Sequence, residues 1–345
     1  MDAPTAQIVI LIFDFYIFNF VIVGHSKQLR YLQAVKDGGL SSHAWIFSGP
    51  DKVGKKTAAL EWASEILGFS AGEKTAHPDF LFTAPLVDEK TGKSAGEITV
   101  AQIRELIAKM ALAPAGKCKI TIIDSAHLMN EEAQNCLLKT LEEPPGASLM
   151  ILIAENDRRL FATVRSRCQI VKFKFLPQSE MEALAEKLAG EIGSRIAAEE
   201  TKEIAEISFG RPGRLVDFLK NPEELEKWRA AEKEFAGVVR GDLAQKFAYA
   251  KKITDDEKEK IKEADAWITL GEILEIWQNH FRRLLLEALN DPQRVRPLLK
   301  GSDPLKNFGA QKIAGTLKKI QTLDFELRTT NAHPRLSIEN FLLNL

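Results

Sequence analysis

Apolar and polar positions along this 345-residue chain alternate between two periods, in a consistent order from His25 onward. Residues 44–47, 119–123, 149–154 and 169–173 are short, nearly continuous apolar runs, as expected of strands buried on both faces. Between them lie stretches of helical spacing at 27–35, closed by Gly38-Gly39, and at 57–67. A third begins at Thr99, which with Gln102 makes a capping box ahead of Val100, Ile103, Leu106, Ile107 and Met110. Asn130 is placed to cap a fourth, with an apolar face of Ala133, Cys136, Leu137 and Leu141 and a stop at Pro144-Pro145. Strands alternating with helices predict a parallel sheet covered on both faces.

Beyond Pro177 the strand signal disappears. Residues 179–219 read as small helices broken at Gly190, Gly193 and the Gly210-to-Gly213 turn. From Pro222 the pattern is helical to the end, most clearly amphipathic over 267–289. The predicted domains are an α/β domain over 21–176, a small helical domain over 177–220 and an all-α domain over 221–345. Residues 8–23 are nearly all apolar but shorter than a membrane span, and Asp14 and Asn19 interrupt them. No Lys or Arg precedes Lys27. Residues 1–20 are therefore read as an atypical extension, or as residues upstream of the true start, and not as an anchor.

Composition adds mainly exclusions. Forty-seven basic and 48 acidic side chains give a net charge of -1, so no global basic field points to nucleic acid. Cys118, Cys136 and Cys168 are far apart, which argues against a zinc ribbon or a disulfide framework and fits a reducing cytoplasm. No metal site and no zinc are expected. The five tryptophans read as core or interface, and the Lys252–Lys262 basic cluster as a solvated face balanced by acids.

Two loops carry candidate chemistry. Gly49-Pro-Asp-Lys-Val-Gly-Lys-Lys-Thr57 follows a predicted strand and opens a predicted helix, the context of a phosphate-binding loop. Gly49, Gly54 and Lys55 supply that geometry, with backbone N–H groups and an ammonium aimed at phosphates. The next position normally holds a hydroxyl that ligates magnesium. Here it is Lys56, whose ammonium has no lone pair, while Thr57 lies roughly 100° further round the helix. The second loop follows the run Ile120–Asp124, a strand ending in a carboxylate that could hold a metal through water. Hydrolytic relatives place a glutamate after that aspartate; Ser125 stands there instead, and its hydroxyl is too weak a base.

Several segments together resemble the bacterial clamp-loader AAA+ family of DNA polymerase III, and within it the delta-prime subunits. They are GHSKQLRYLQ (24–33), HAWIFSGPDKVGKKT (43–57), HPDF (77–80), ITVAQIRELI (98–107), IIDSAHLMNEEAQNCLLKTLEEPP (122–145), RSRCQ (165–169) and NAHPRLSIENFLLNL (331–345). The resemblance implies a P-loop NTPase-like AAA+ domain, a helical lid over 177–220 and a collar over 221–345 that holds a hetero-pentamer. It implies ATPase (gamma/tau) and delta subunits as partners, with the sliding clamp and primed DNA reached through the complex and no membrane involved. Arg167 of Ser166-Arg167-Cys168 would then be an arginine finger acting in trans on a neighbour's ATP.

Departures from the family pattern fall on this chain's own site: Lys56, Ser125, Ala154-Glu155 where a sensor Thr or Asn is usual, and Arg214 one place late in Gly210-Arg-Pro-Gly-Arg214. The family's four-cysteine zinc module is missing from 67–76. Gly49, Gly54, Lys55, Thr57, Asp124 and Arg214 are thus expected to form a degenerate site, with ATP or ADP held there without hydrolysis. A catalytic gamma/tau-like subunit or a related AAA+ motor on DNA, and a nucleotide-free scaffold, are the alternatives.

Overall fold

The computed structural model describes residues 24–39, 42–68, 77–86, 96–192, 197–260, 270–290, 309–329 and 332–345. The apolar extension at 1–20, Gly193 and Trp267 lie outside them.

Five strands, β1 (Ala44–Ser48), β2 (Phe80–Thr83), β3 (Lys119–Ile123), β4 (Ser148–Ala154) and β5 (Gln169–Lys172), form one sheet in the order β2-β3-β4-β1-β5. Every pairing is parallel. β1 and β3 are buried along their whole length, which is why they read as unbroken apolar runs. Their alternate side chains enter two different cores. Trp45, Phe47, Ile120 and Ile122 pack on one face with Leu32 of α1 (Ser26–Asp37) and Trp62 of α2 (Lys55–Leu67). Ala44, Ile46 and Ile123 pack on the other with Ile103 and Leu106 of α3 (Val100–Met110) and Leu137 of α4 (Glu131–Glu142).

The predicted caps form. Thr99 Oγ1 accepts from the Gln102 N–H at 3.4 Å while Gln102 Oε1 accepts from the Thr99 N–H at 3.0 Å. Asn130 Oδ1 accepts from the Ala133 N–H at 2.9 Å. β2 has no counterpart among the predicted strands. It is a four-residue edge strand, FLFT, too short for a periodic signal, and it is fixed by pairing with β3.

After the four-residue α5 (Ala162–Arg165) and β5 come α6 (Gln178–Ile192), α7 (Ala198–Ile207) and α8 (Pro212–Lys220). The expected break at Gly190 does not occur: α6 runs through it to Ile192. An interior glycine costs only about 1 kcal/mol, and Met181, Ala185 and Leu188 keep the apolar face of this helix buried. The break at Gly210 does occur, at φ 70°, but Gly213 lies inside α8.

The chain divides into two compact units at Val216/Asp217. In the second, α9 (Pro222–Arg240), α10 (Leu243–Lys260), α11 (Leu270–Asn290), α12 (Ala310–Thr329) and α13 (Pro334–Leu343) share a core of their own. Trp277 stacks between Phe235 and Phe341, with ring centroids 4.7 and 5.3 Å away. No described helix is long and apolar enough to cross a membrane.

Candidate functional site

Parallel pairing brings the carboxyl ends of β1, β4 and β5 to one edge, because Ser48 sits opposite both Ala154 and Lys172. Ligands of open α/β sheets bind beyond that edge. The glycine loop leaves it after Ser48, tied down by Gly49 N–H to the Ala154 carbonyl at 3.2 Å. A side chain at Gly49 would collide with the Phe173 carbonyl, so glycine is needed there for close approach. Gly54 has φ 100° at the N-terminus of α2, a left-handed conformation open to glycine. Thr57 is half-buried in the first turn of α2.

Lys55 is buried, and its ammonium donates back to the carbonyls of Gly49 (2.7 Å) and Pro50 (2.5 Å). Burial pulls it below the usual lysine range, against the opposing pull of Asp51, Glu155 and Asp124; Arg211 adds to the lowering. Four charged groups therefore act on the loop lysine, of which the sequence marked only Asp124 as a site residue. Asp51, Glu155 and Arg211 lie in segments the sequence singled out, but not as charges acting on Lys55, and only the fold brings them together.

Asp124 closes β3, with its N–H donating to the Thr83 carbonyl at 2.8 Å. Both of its carboxylate oxygens are engaged. Oδ1 accepts from the Ser125 N–H at 2.9 Å, and Oδ2 lies 3.2 Å from Lys56 Nζ. The Lys56 ammonium also lies 5.1 Å from the Phe82 ring centroid. A magnesium ion, which the fold family implies here, needs oxygen ligands in near-octahedral array. This donor set does not fit one: a cation already holds the acid, and the neighbouring ligand position is an ammonium.

His127 sits behind this edge in the short 3₁₀ turn Ala126–Leu128, accepting from the Glu155 N–H at 3.4 Å. Burial first, then Arg159 and Lys55, pull its imidazole down to about 4, so it is neutral near pH 7. A second polar knot locks the loop after β4. Asp157 accepts from Ser48 Oγ at 2.7 Å and from the Lys172 ammonium. Burial works against its charge, yet those hydrogen bonds hold its carboxyl below the usual range.

Arg214 is buried on α8 beside Gly213, whose N–H donates to the Lys52 carbonyl at 2.9 Å. The start of α8 thus packs on the glycine loop. Arg167 is placed elsewhere. It follows α5, its side chain is about one-third exposed, and its guanidinium contacts Glu142, Ser166 Oγ and the Thr163 carbonyl (2.8 Å). Next to it the Cys168 thiol is pushed up to about 12 by burial, which makes it an inert part of the packing.

Residues 24–177 match the family model described as DNA polymerase III, delta subunit. The chain is 32% identical over 188 residues to the DNA polymerase III subunit delta' of Pseudomonas aeruginosa, covering 50% of this chain and 54% of that one. It is 26% identical over 209 residues to the DNA polymerase III subunit gamma of Buchnera aphidicola, covering 58% of each. It thus spans little more than half the length of these relatives. A solved gamma-subunit-related protein from Thermotoga maritima overlaps at 18% identity over 92% of this chain and 98% of its own, with a TM-score of 0.43. Through its α/β part, this chain is similar to DNA polymerase III delta' and gamma subunits.

Proposed function

We propose that the chain is a delta-prime-like clamp-loader subunit that donates Arg167 to the ATP site of a neighbouring subunit and does not hydrolyse ATP itself. The observation that carries this reading is where the two halves of the chemistry stand. Arg167 lies at the surface, its guanidinium bound by an exposed carboxylate, while the position following Asp124 holds Ser125 in place of a base. A planar guanidinium spreads paired hydrogen bonds over phosphate oxygens and stabilises charge that grows during phosphoryl transfer.

On this reading the segment 177–220 acts as the lid, and 221–345 forms the collar that assembles with gamma/tau and delta partners in the cytoplasm. Gly49, Gly54, Lys55 and Arg214 hold a nucleotide that is not turned over. Two points support binding without turnover: the cradle geometry survives, and Asp124 is neutralised from within the chain.

The test is reconstitution with the ATPase and delta subunits, with turnover measured in the presence of clamp and primed DNA. Arg167→Ala should cost the site it serves about 10³-fold or more, seen as loss of that site's share of turnover. Unchanged stimulated turnover would falsify the finger role. Similarity to gamma and gamma/tau subunits keeps a catalytic reading in view. Magnesium-dependent hydrolysis by the isolated chain, abolished in Lys55→Ala, would favour it.

A further inference from the structure

We propose that Lys56 is a tethered replacement for the divalent cation, and that this loop takes a nucleoside di- or triphosphate free of metal. This rests on the reading above that the loop binds nucleotide.

Three observations lead here. First, the Lys56 ammonium is 3.2 Å from Asp124 Oδ2, so a positive charge already stands against the acid that would otherwise serve a metal. Second, each Asp124 carboxylate oxygen already has a partner within the chain: Oδ1 accepts from the Ser125 N–H at 2.9 Å and Oδ2 faces the Lys56 ammonium, while the backbone N–H donates to Thr83. Third, the ammonium is placed by packing: it leaves the first turn of α2 and lies 5.1 Å from the Phe82 ring centroid, where a cation is favoured.

An ammonium only donates, and a divalent ion on Asp124 would have to displace it or sit beside it against like charge. The chemistry left to Lys56 is direct donation to phosphate oxygens. A metal-free polyphosphate carries two more negative charges than its magnesium complex. This loop meets them with a lysine at 56 in addition to Lys55, and a second donor group replaces the hydroxyl that would have held the metal. Both lysines lie in the first turn of α2, whose N-terminus is the end that attracts phosphate.

The experiment is calorimetry on the full chain with ADP and a non-hydrolysable ATP analogue, in EDTA and in excess magnesium chloride. The wild type should bind equally well or better in EDTA, and Lys55→Ala should lose binding in both buffers. In Lys56→Thr and Lys56→Ser, magnesium should strengthen binding on the order of tenfold. The same variants should show an EPR-detectable Mn²⁺ site that Asp124→Asn removes. Wild-type binding that requires magnesium overturns the role of Lys56 and leaves nucleotide binding intact. So does a Lys56→Thr variant that is folded by circular dichroism yet indifferent to metal. No binding by the folded wild type in either buffer overturns the nucleotide reading itself, and this proposal with it. The Arg167 experiment stands apart from each of these results.

Discussion

Single side chains decide what this site can do, and their neighbours decide how. Lys56, Ser125 and Arg167 are plain in the sequence as departures from, or matches to, a motif. What each touches is not, because the partner lies many residues away: Asp124 for Lys56, Glu142 for Arg167. His127 illustrates the same gap. Its imidazole is held to about 4 chiefly by burial, against about 6.5 in an unfolded chain. The unfolded state therefore takes up a proton as pH falls below about 6.5, and the native state does so only near 4. The stability that neutral His127 contributes is complete above about 6.5 and is lost progressively down to about 4. Chemical denaturation at pH 7.5 and pH 5 should show this loss, roughly 1–3 kcal/mol, and His127→Asn should flatten the difference. At Gly49 the constraint is steric: Gly49→Ala should lower the thermal midpoint, because the added methyl meets the Phe173 backbone.

Elements were legible where period and caps agreed. α3 and α4 each have a cap that satisfies N-terminal N–H groups and an apolar face of three or more positions, and both form where the pattern puts them. Asn130→Ala removes the acceptor for the Ala133 N–H and should cost about 1 kcal/mol by denaturant melts. Leu137→Ala empties a fully buried position between α4 and the sheet and should cost about 2–5 kcal/mol. A Leu137 variant as stable as the wild type would mean that this face is not packed as described. The pattern failed where tertiary pairing outweighs local signal. β2 exists because its backbone completes a ladder with β3, and α6 continues through Gly190 because Met181, Ala185 and Leu188, in the turns before it, are buried.

At the scale of the molecule, each hydrophobic core lies wholly within one unit. The two sheet-face cores are built from residues before Asp217, and the aromatic core around Trp277 from residues after it. A cavity in one core should therefore weaken that unit first. Phe281→Ala, in the helical core, is expected to lower one calorimetric transition by about 3–5 kcal/mol and leave the transition of the α/β unit near its original temperature. A single transition that moves as a whole would show the units to unfold together.

The sequence by itself determined the alternation of strands and helices, the parallel sheet, the glycine loop, and that Lys56 and Ser125 stand where a phosphate-binding loop and its partner strand usually carry a hydroxyl and an acid. These follow from local period, backbone conformation and the chemistry of single side chains, all of which are written in short stretches. Tertiary structure alone decided that Lys56 rests on Asp124, that Asp51, Glu155 and Arg211 share the field of Lys55, and that burial keeps His127 neutral. Strand order set those meetings. It placed the ends of β1, β3, β4 and β5 along one edge of the sheet, and no period in a linear sequence encodes which strands will be neighbours.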